Sequence, residues 1–148
     1  MPNAATSDIG AWREMQSKLS ATGYCAGGVI IGEPKAPPES ITGCIIGDAG
    51  GIDESVLNSP REVHQAILRF YGAFLGEPGE NIEIELEQLR ANLWADICGD
   101  FDLGGNIAYI HPNQCSWRWG YLDVGQQKYR ILDMLIAYRV DSRATYVA

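Results

Sequence analysis

The sequence lacks a long hydrophobic run. No stretch approaches the roughly 18 consecutive apolar residues that a membrane-spanning helix needs. Charged residues occur throughout Met1 to Ser20, where a signal peptide would have an apolar centre. We therefore expect a protein that is made and kept in a cytoplasm-like compartment. With 148 residues, 46% of them hydrophobic and 20% charged, the composition predicts one globular domain, 1–148.

Positive charge is also scarce. The chain has 11 lysine and arginine residues against 19 acidic residues, which gives a formal net charge of -8. Because neutralisation of phosphates by basic side chains dominates nucleic-acid affinity, this balance argues against binding of DNA or RNA through a basic face. It favours contacts with proteins, or a surface that DNA passes without adhering.

The four cysteines have no close spacing. Cys25, Cys44, Cys98 and Cys115 form no C-x-x-C pair. A structural zinc site usually has at least two ligands about two to four residues apart. We therefore predict four reduced, mostly buried thiols and no zinc.

Recognisable catalytic motifs are absent as well. His64 lies in no pattern that pairs it with a nucleophile, so we predict a structural histidine. Asp100 and Asp102 resemble the start of a calcium loop, but the distal glutamate of that loop is missing, which predicts a glycine-rich turn with solvated carboxylates. We predict no catalytic residue, no cofactor and no metal. The alternative of a different class is a small enzyme or ligand-binding α/β domain that uses His64, His111 and the two aspartates.

The strongest pattern that the sequence does contain is a helix from Asn81 to Cys98. Its apolar residues recur at steps of three and four and share one face: Ile82, Leu86, Leu89, Leu93 and Ile97. Acidic residues crowd its first turns, where negative charge favours a helix N-terminus. The pattern predicts an α+β fold in which this main helix, about 81–98, packs across a mixed or antiparallel β-sheet. A second, short helix is predicted at about 8–20.

Most of the remaining chain has strand or loop character. Residues 24–31 and 41–46 are predicted strands that could pair as a hairpin around a proline-stiffened loop, 33–39. Residues 47–60, rich in glycine and acids, predict a second loop. Residues 61–75 suit either a helix or a strand, and their aromatic side chains favour a strand.

The C-terminal third of the chain predicts three more strands. Residues 106–110 form the first. In the second, 117–124, three aromatic residues share one face, which favours packing under a helix or in a subunit contact over base stacking: Trp117, Trp119 and Tyr121. The last strand, 129–140, would span about 40 Å, twice a typical length. Residues 141–148 are predicted to form a flexible tail.

The last strand is apolar on one face and partly apolar on the other. A small domain has little room to cover both faces, so we expect the second face to meet a neighbouring subunit. Candidate contacts with neighbours lie on this face and in the two predicted loops. They are Pro34, Lys35, Pro37, Pro38, Asp53, Glu54, Tyr129, Ile131, Leu135 and Arg139.

The order of these elements, with the segments LEQLRANLWADICGDFDLGGNIAYIHP and YRILDMLIAYRVDSRATY, resembles the tail terminator (tail completion) proteins of long-tailed bacteriophages. The resemblance covers most of the chain from about Arg61 onward and lies in pattern and length. It implies a structural virion protein of the tail or neck, assembled in the host cytoplasm. No catalytic residue carries over, because the family has none.

The resemblance also implies partners. It predicts a homohexameric ring that closes the tail tube, contacts the tail tube protein and joins the tube to the head–tail connector or stopper protein. DNA would pass through the lumen without specific binding, and six copies would carry a charge on the order of -48 to keep it from adhering. The alternative within the same class is a head-completion or stopper protein of the neck.

Overall fold

The computed structural model describes residues 8–23, 25–56, 59–74 and 79–141. Within these ranges the chain forms two α-helices, six strands of one sheet and a short 3-10 helix. In chain order they are α1 (Asp8–Thr22), β1 (Val29–Ile31), β2 (Thr42–Val56), β3 (Ser59–Phe74), α2 (Gly79–Gly99), β4 (Tyr109–Ile110), the 3-10 helix (Pro112–Gln114), β5 (Ser116–Val124) and β6 (Gln127–Asp141). The predicted α+β class, with a main helix and a short N-terminal helix, is confirmed.

The sheet is mixed, and its centre is formed by β3 and β6. The strand order is β1-β2-β3-β6, and both β4 and β5 pair along the far side of β6. β1 and β2 are parallel, whereas all the other pairs are antiparallel. The long strand β6 therefore pairs with β3 on one side and with β4 and β5 on the other, so it is a central strand.

Both helices pack on one face of this sheet and form the main hydrophobic core. α2 buries the five apolar residues that share its predicted face, and α1 adds Ala11, Met15 and Leu19. From the sheet, the core receives Leu68, Phe70, Leu132, Met134 and Ile136, among others. Gly72 of β3 allows the close approach of α2, since a Cβ there would lie 2.8 Å from Cγ2 of Ile82.

Two sequence predictions are wrong in this part of the chain. Within the predicted loop 47–60, the described residues are strand, because β2 runs to Val56 and β3 begins at Ser59, with Val56 paired to Ser59. Backbone pairing with β3 outweighs the local turn preference of glycine, and two register shifts absorb the irregularity. Residues 24–31 and 41–46 do not form a hairpin, because β1 and β2 are parallel and the intervening loop must carry the chain back.

Other boundaries differ less. In the predicted strand 106–110, only Tyr109 and Ile110 pair with β6. The strand favoured for 61–75 is confirmed as part of β3. The predicted flexible tail lies outside the described residues, apart from Asp141 at the end of β6.

The turn after α2 is held to α1 by a carboxylate. Oδ1 of Asp100 accepts a hydrogen bond from the N–H of Gly104 at 3.1 Å, and its Oδ2 lies 3.0 Å from Nζ of Lys18. The Gly104 N–H and the Lys18 ammonium lower the pKa of Asp100. Leu103, buried in the core, takes a left-handed backbone with φ 47°. Asp100 therefore anchors this turn, and its carboxylate stays partly exposed to solvent, with 28% of the side chain accessible.

Candidate functional site

The face of the sheet opposite the helices carries a second, smaller apolar cluster. Its buried members are Cys44, Tyr71, Tyr129 and Ile131. The proline-containing loop between β1 and β2 reaches this cluster, because the hydroxyl of Tyr129 donates a hydrogen bond to the carbonyl oxygen of Pro38 at 2.5 Å. Burial raises the pKa of Tyr129. The loop thus covers one end of a face that the sequence assigned to a neighbouring subunit.

Replacing Tyr129 by phenylalanine is expected to lower the free energy of unfolding by about 1–2 kcal/mol, because it leaves the Pro38 carbonyl without its donor. Chemical denaturation of the variant and the parent protein measures the difference. Tyr121→Phe is the matched control, since Tyr121 is exposed on β5, and it should cost less than about 0.5 kcal/mol. Equal losses for the two variants would contradict the anchoring role of the Tyr129 hydroxyl.

The candidate contact residues fall into three groups. Four are buried within the single chain: Pro38, Tyr129, Ile131 and Arg139. Pro34 and Leu135 are half-buried, whereas Lys35 and Pro37 are exposed. Asp53 and Glu54 belong to β2, and their side chains lie outside the described part of the structure.

We expected the single chain to leave the second face of β6 uncovered, and this is wrong for most of that face. The reason is that β6 is a central strand, and its second face is covered from both ends. The proline loop covers the end near Tyr129. At the other end, Nη1 of Arg139 donates a hydrogen bond to the hydroxyl of Tyr109 at 2.7 Å. Only the middle of the face, around Leu135, stays partly open.

This middle region is organised by an ion pair. Nε and Nη2 of Arg69 on β3 donate to Oδ1 and Oδ2 of Asp133 on β6, at 2.8 and 3.1 Å. The two side chains are 19% and 22% exposed. Next to the pair, a shallow depression of about 220 Å³ includes Ile67, Leu135 and Arg118 in its lining. The sequence reasoning missed this pair, because charges on different strands meet only once the β3–β6 register is known.

The outer edge of β5 is an open edge of the described sheet. Among the described strands, β5 pairs only with β6. Trp117, Trp119 and Tyr121 stand on the helix side of this edge, where Trp117 is 46% and Tyr121 is 56% exposed. Trp119 packs against the main core. We call these three residues the aromatic row.

Two arginines stack on the aromatic row. The guanidinium carbon of Arg90 on α2 lies 4.2 Å from the ring centre of Trp117, and that of Arg130 on β6 lies 4.6 Å from the ring centre of Tyr121. Glu87 and Glu83 of α2 pair with Arg90 and Arg130, respectively. The sequence analysis predicted the shared face of the row but not these arginines. The i,i+3 spacing of Glu87 and Arg90 was the signal that could have found one of them.

The second open edge belongs to the distal part of β2. β1 pairs only with Gly43, Cys44 and Ile45, so no described strand covers β2 beyond them on that side. The edge contains Gly47, Gly50 and Gly51 and the exposed Ile52, and a depression of about 280 Å³ lies along it. It is therefore flat and partly apolar.

The residues of the enzyme alternative lie in separate surroundings. Nε2 of His64 lies 2.8 Å from Oε1 of Glu62, and its ring stacks on Tyr138. The ring of His111 contacts Tyr109 at 4.9 Å between centroids. His64 lies on β3, His111 precedes the 3-10 helix, and Asp100 lies in the turn after α2. Within the described ranges, no group of three or more histidine, cysteine, aspartate or glutamate side chains is arranged to hold a metal ion.

The four cysteines are unpaired, as predicted. Cys44 is buried, Cys25 and Cys115 are half-buried and Cys98 is exposed. Burial raises the pKa of Cys25 and of Cys44 to about 11. These two thiols are therefore protonated and weakly nucleophilic at neutral pH.

No protein-family model matches this chain, and no curated protein matches its sequence. Among the described helices, none is both long enough and apolar enough to cross a membrane. The candidate site consequently rests on the geometry of the open face and the two open edges.

Proposed function

We propose that this chain is the subunit of a bacteriophage tail terminator ring, a structural virion protein that closes the tail tube and joins it to the head–tail connector. The observation that carries the proposal is that the described strands leave an open edge on each side of the sheet, at β5 and at distal β2. The order of elements in this chain also supports it, since a main helix lies between two sets of strands, as in the family that the sequence resembles.

Two different open edges suit a ring. Unpaired N–H and C=O groups of an edge strand are templates for pairing with another chain, and monomeric proteins commonly protect such edges with lysine or proline. β5, SWRWGYLDV, contains neither residue. A contact between two unlike surfaces repeats from copy to copy. It closes into a ring when the rotation between neighbouring subunits is a whole fraction of a full turn.

The charge of the chain suits a passage for DNA. A ring of six copies at -8 each would repel phosphates in its lumen at short range and leave DNA free to move. The tail tube protein and the head–tail connector are the proposed partners at the two ends of the ring. The chain performs no chemistry in this role, so the ring is a joint and not an enzyme.

Native mass spectrometry and negative-stain electron microscopy test the proposal. Purified protein, alone and mixed with isolated tail tubes, is expected to give hexamers and rings that cap one end of each tube. A protein that stays monomeric at all concentrations and leaves tube ends bare would overturn it. Binding to DNA-filled heads but not to tail tubes would instead identify a stopper protein of the neck.

A further inference from the structure

We propose that the open edge of β5 in one copy pairs with the distal edge of β2 in a second copy, so that the aromatic row lies over Gly50 on the helix side of that edge. The inference rests on the proposed function, because it specifies how neighbouring subunits of the ring join. It concerns residues 116–124 of one copy and 47–56 of the next.

The β5 side offers both hydrogen bonds and apolar contact. Its outward backbone groups have no strand partner among the described residues, and extended segments commonly add to such an edge. Trp117 and Tyr121 have about half of their surface exposed beside this edge. Stacking by Arg90 and Arg130 holds the two rings in place, so little side-chain entropy remains to be lost on docking.

The β2 side has a glycine that the single chain does not need. Gly50 is level with His64 and Tyr138 and therefore lies on the helix side, as the aromatic row does, whereas Gly51 lies on the other face. A Cβ at Gly50 would make only an ordinary contact, 3.5 Å from the carbonyl oxygen of Val63, and its φ is not positive. Glycine weakens a strand, and in a strand it often marks a place where another backbone approaches closely. The room above Gly50 is thus explained by a neighbour that fills it.

The two edges are complementary in shape and in charge. Bulky aromatic rings on β5 meet a strand whose corresponding side is nearly flat, an arrangement in which an aromatic side chain covers glycine across a strand pair. Arg118 is exposed on β5, and Asp48 is exposed on β2. The sequence of distal β2 adds Asp53 and Glu54. Opposite charges on paired strands favour this pairing over the alternatives.

Pairing of β5 with β5 of a second copy is less suitable. It would leave the distal edge of β2 without a partner. Pairing of unlike edges uses both. Ser116, the first residue of β5, is aligned across the sheet with Leu135, Ile67 and Ile46. The part of β2 that is proposed to pair, 47–56, begins after Ile46, so it does not lie at the same height in the sheet as β5. Successive copies would therefore be staggered along their strands, as in a closed barrel with tilted strands.

Two variants test the pairing from its two sides. Gly50→Val fills the open space on the helix side of the β2 edge with a residue that strands favour, and its Cβ makes only an ordinary contact, so its thermal melt should match that of the parent protein. Tyr121→Glu replaces an exposed ring and sets a negative charge against the acidic edge of the next copy. Each variant alone is expected to weaken assembly about tenfold or more, measured by native mass spectrometry and light scattering over a concentration series.

Matched controls separate the pairing from general effects. Gly99→Val adds a side chain at the end of α2, where a Cβ meets nothing within 4 Å, and Phe101→Glu replaces an exposed aromatic outside the sheet. Both should assemble like the parent protein. If Gly50→Val fails to melt cooperatively, Tyr121→Glu against Phe101→Glu decides the test.

Mixing the two assembly-deficient variants gives the sharpest result. Each retains one intact edge, so an equal mixture is expected to form a dimer of one Gly50→Val and one Tyr121→Glu subunit and nothing larger. Rings that survive both substitutions would overturn the pairing and leave the ring intact. Filaments that both substitutions abolish would support the pairing and overturn the ring. A parent protein that is monomeric even at about 1 mM, where only binding with a Kd weaker than about 1 mM escapes detection, would overturn both.

Discussion

Replacing Leu89 by alanine is expected to lower the free energy of unfolding by about 2–5 kcal/mol. Leu89 lies in the middle of α2 and is completely buried in the core between this helix and the sheet. Truncation removes apolar atoms from that core and leaves a cavity that the surrounding side chains fill only partly. Urea denaturation followed by circular dichroism measures the loss.

Ile84→Ala is the matched control for this experiment. Ile84 lies on the same helix, five residues earlier, but its side chain is exposed beside the aromatic row. We expect a change of less than about 0.5 kcal/mol. If the two variants lost the same stability, the face of α2 that packs on the sheet would have been assigned incorrectly.

Replacing Asp133 by alanine is expected to cost about 2–3 kcal/mol. The change leaves the guanidinium of Arg69 largely buried and without its bidentate partner. The remaining acid near Arg69 is Glu33, whose carboxylate lies 3.8 Å away and is 68% exposed. Loss of one partner from a fully buried pair costs about 3–5 kcal/mol, and the residual exposure of both groups here reduces that figure.

Two further variants isolate the cause. Arg69→Met combined with Asp133→Leu replaces both charges by apolar groups, and we expect it to recover most of the stability that Asp133→Ala loses. Glu33→Ala should change the free energy of unfolding by less than about 0.5 kcal/mol. A double variant as unstable as Asp133→Ala would mean that the packing of Asp133, and not its charge, holds this part of the sheet.

Local periodicity explains what the sequence predicts well. The apolar face of α2 repeats within one segment, and the alternation along β6 does the same, so neither needs knowledge of the rest of the chain. The aromatic row was predicted on one face for the same reason. In each case the signal lies within about twenty residues.

Pairing between distant segments explains what the sequence misses. Residues 47–56 have the composition of a loop, yet they are a strand because β3 supplies their hydrogen bonds. Nothing in 29–31 specifies that β1 runs parallel to β2. The loop that contains Pro38 covers Tyr129, and Arg130 stacks on Tyr121. Both contacts join segments that are separate in sequence, so they can be predicted only once the fold is known.

The position of β6 at the centre of the sheet affects how this chain folds during synthesis. The Arg69–Asp133 pair spans 64 residues of sequence. The side of β3 that pairs with β6 has no partner strand until β6 has left the ribosome. Contacts of such long range slow folding. Until then, one side of β3 and the apolar face of α2 are uncovered together, and a partly made chain is prone to aggregate. Slower translation after Phe74 would lengthen that exposure, so the yield of soluble protein should depend on the rate at which residues 75–141 are made.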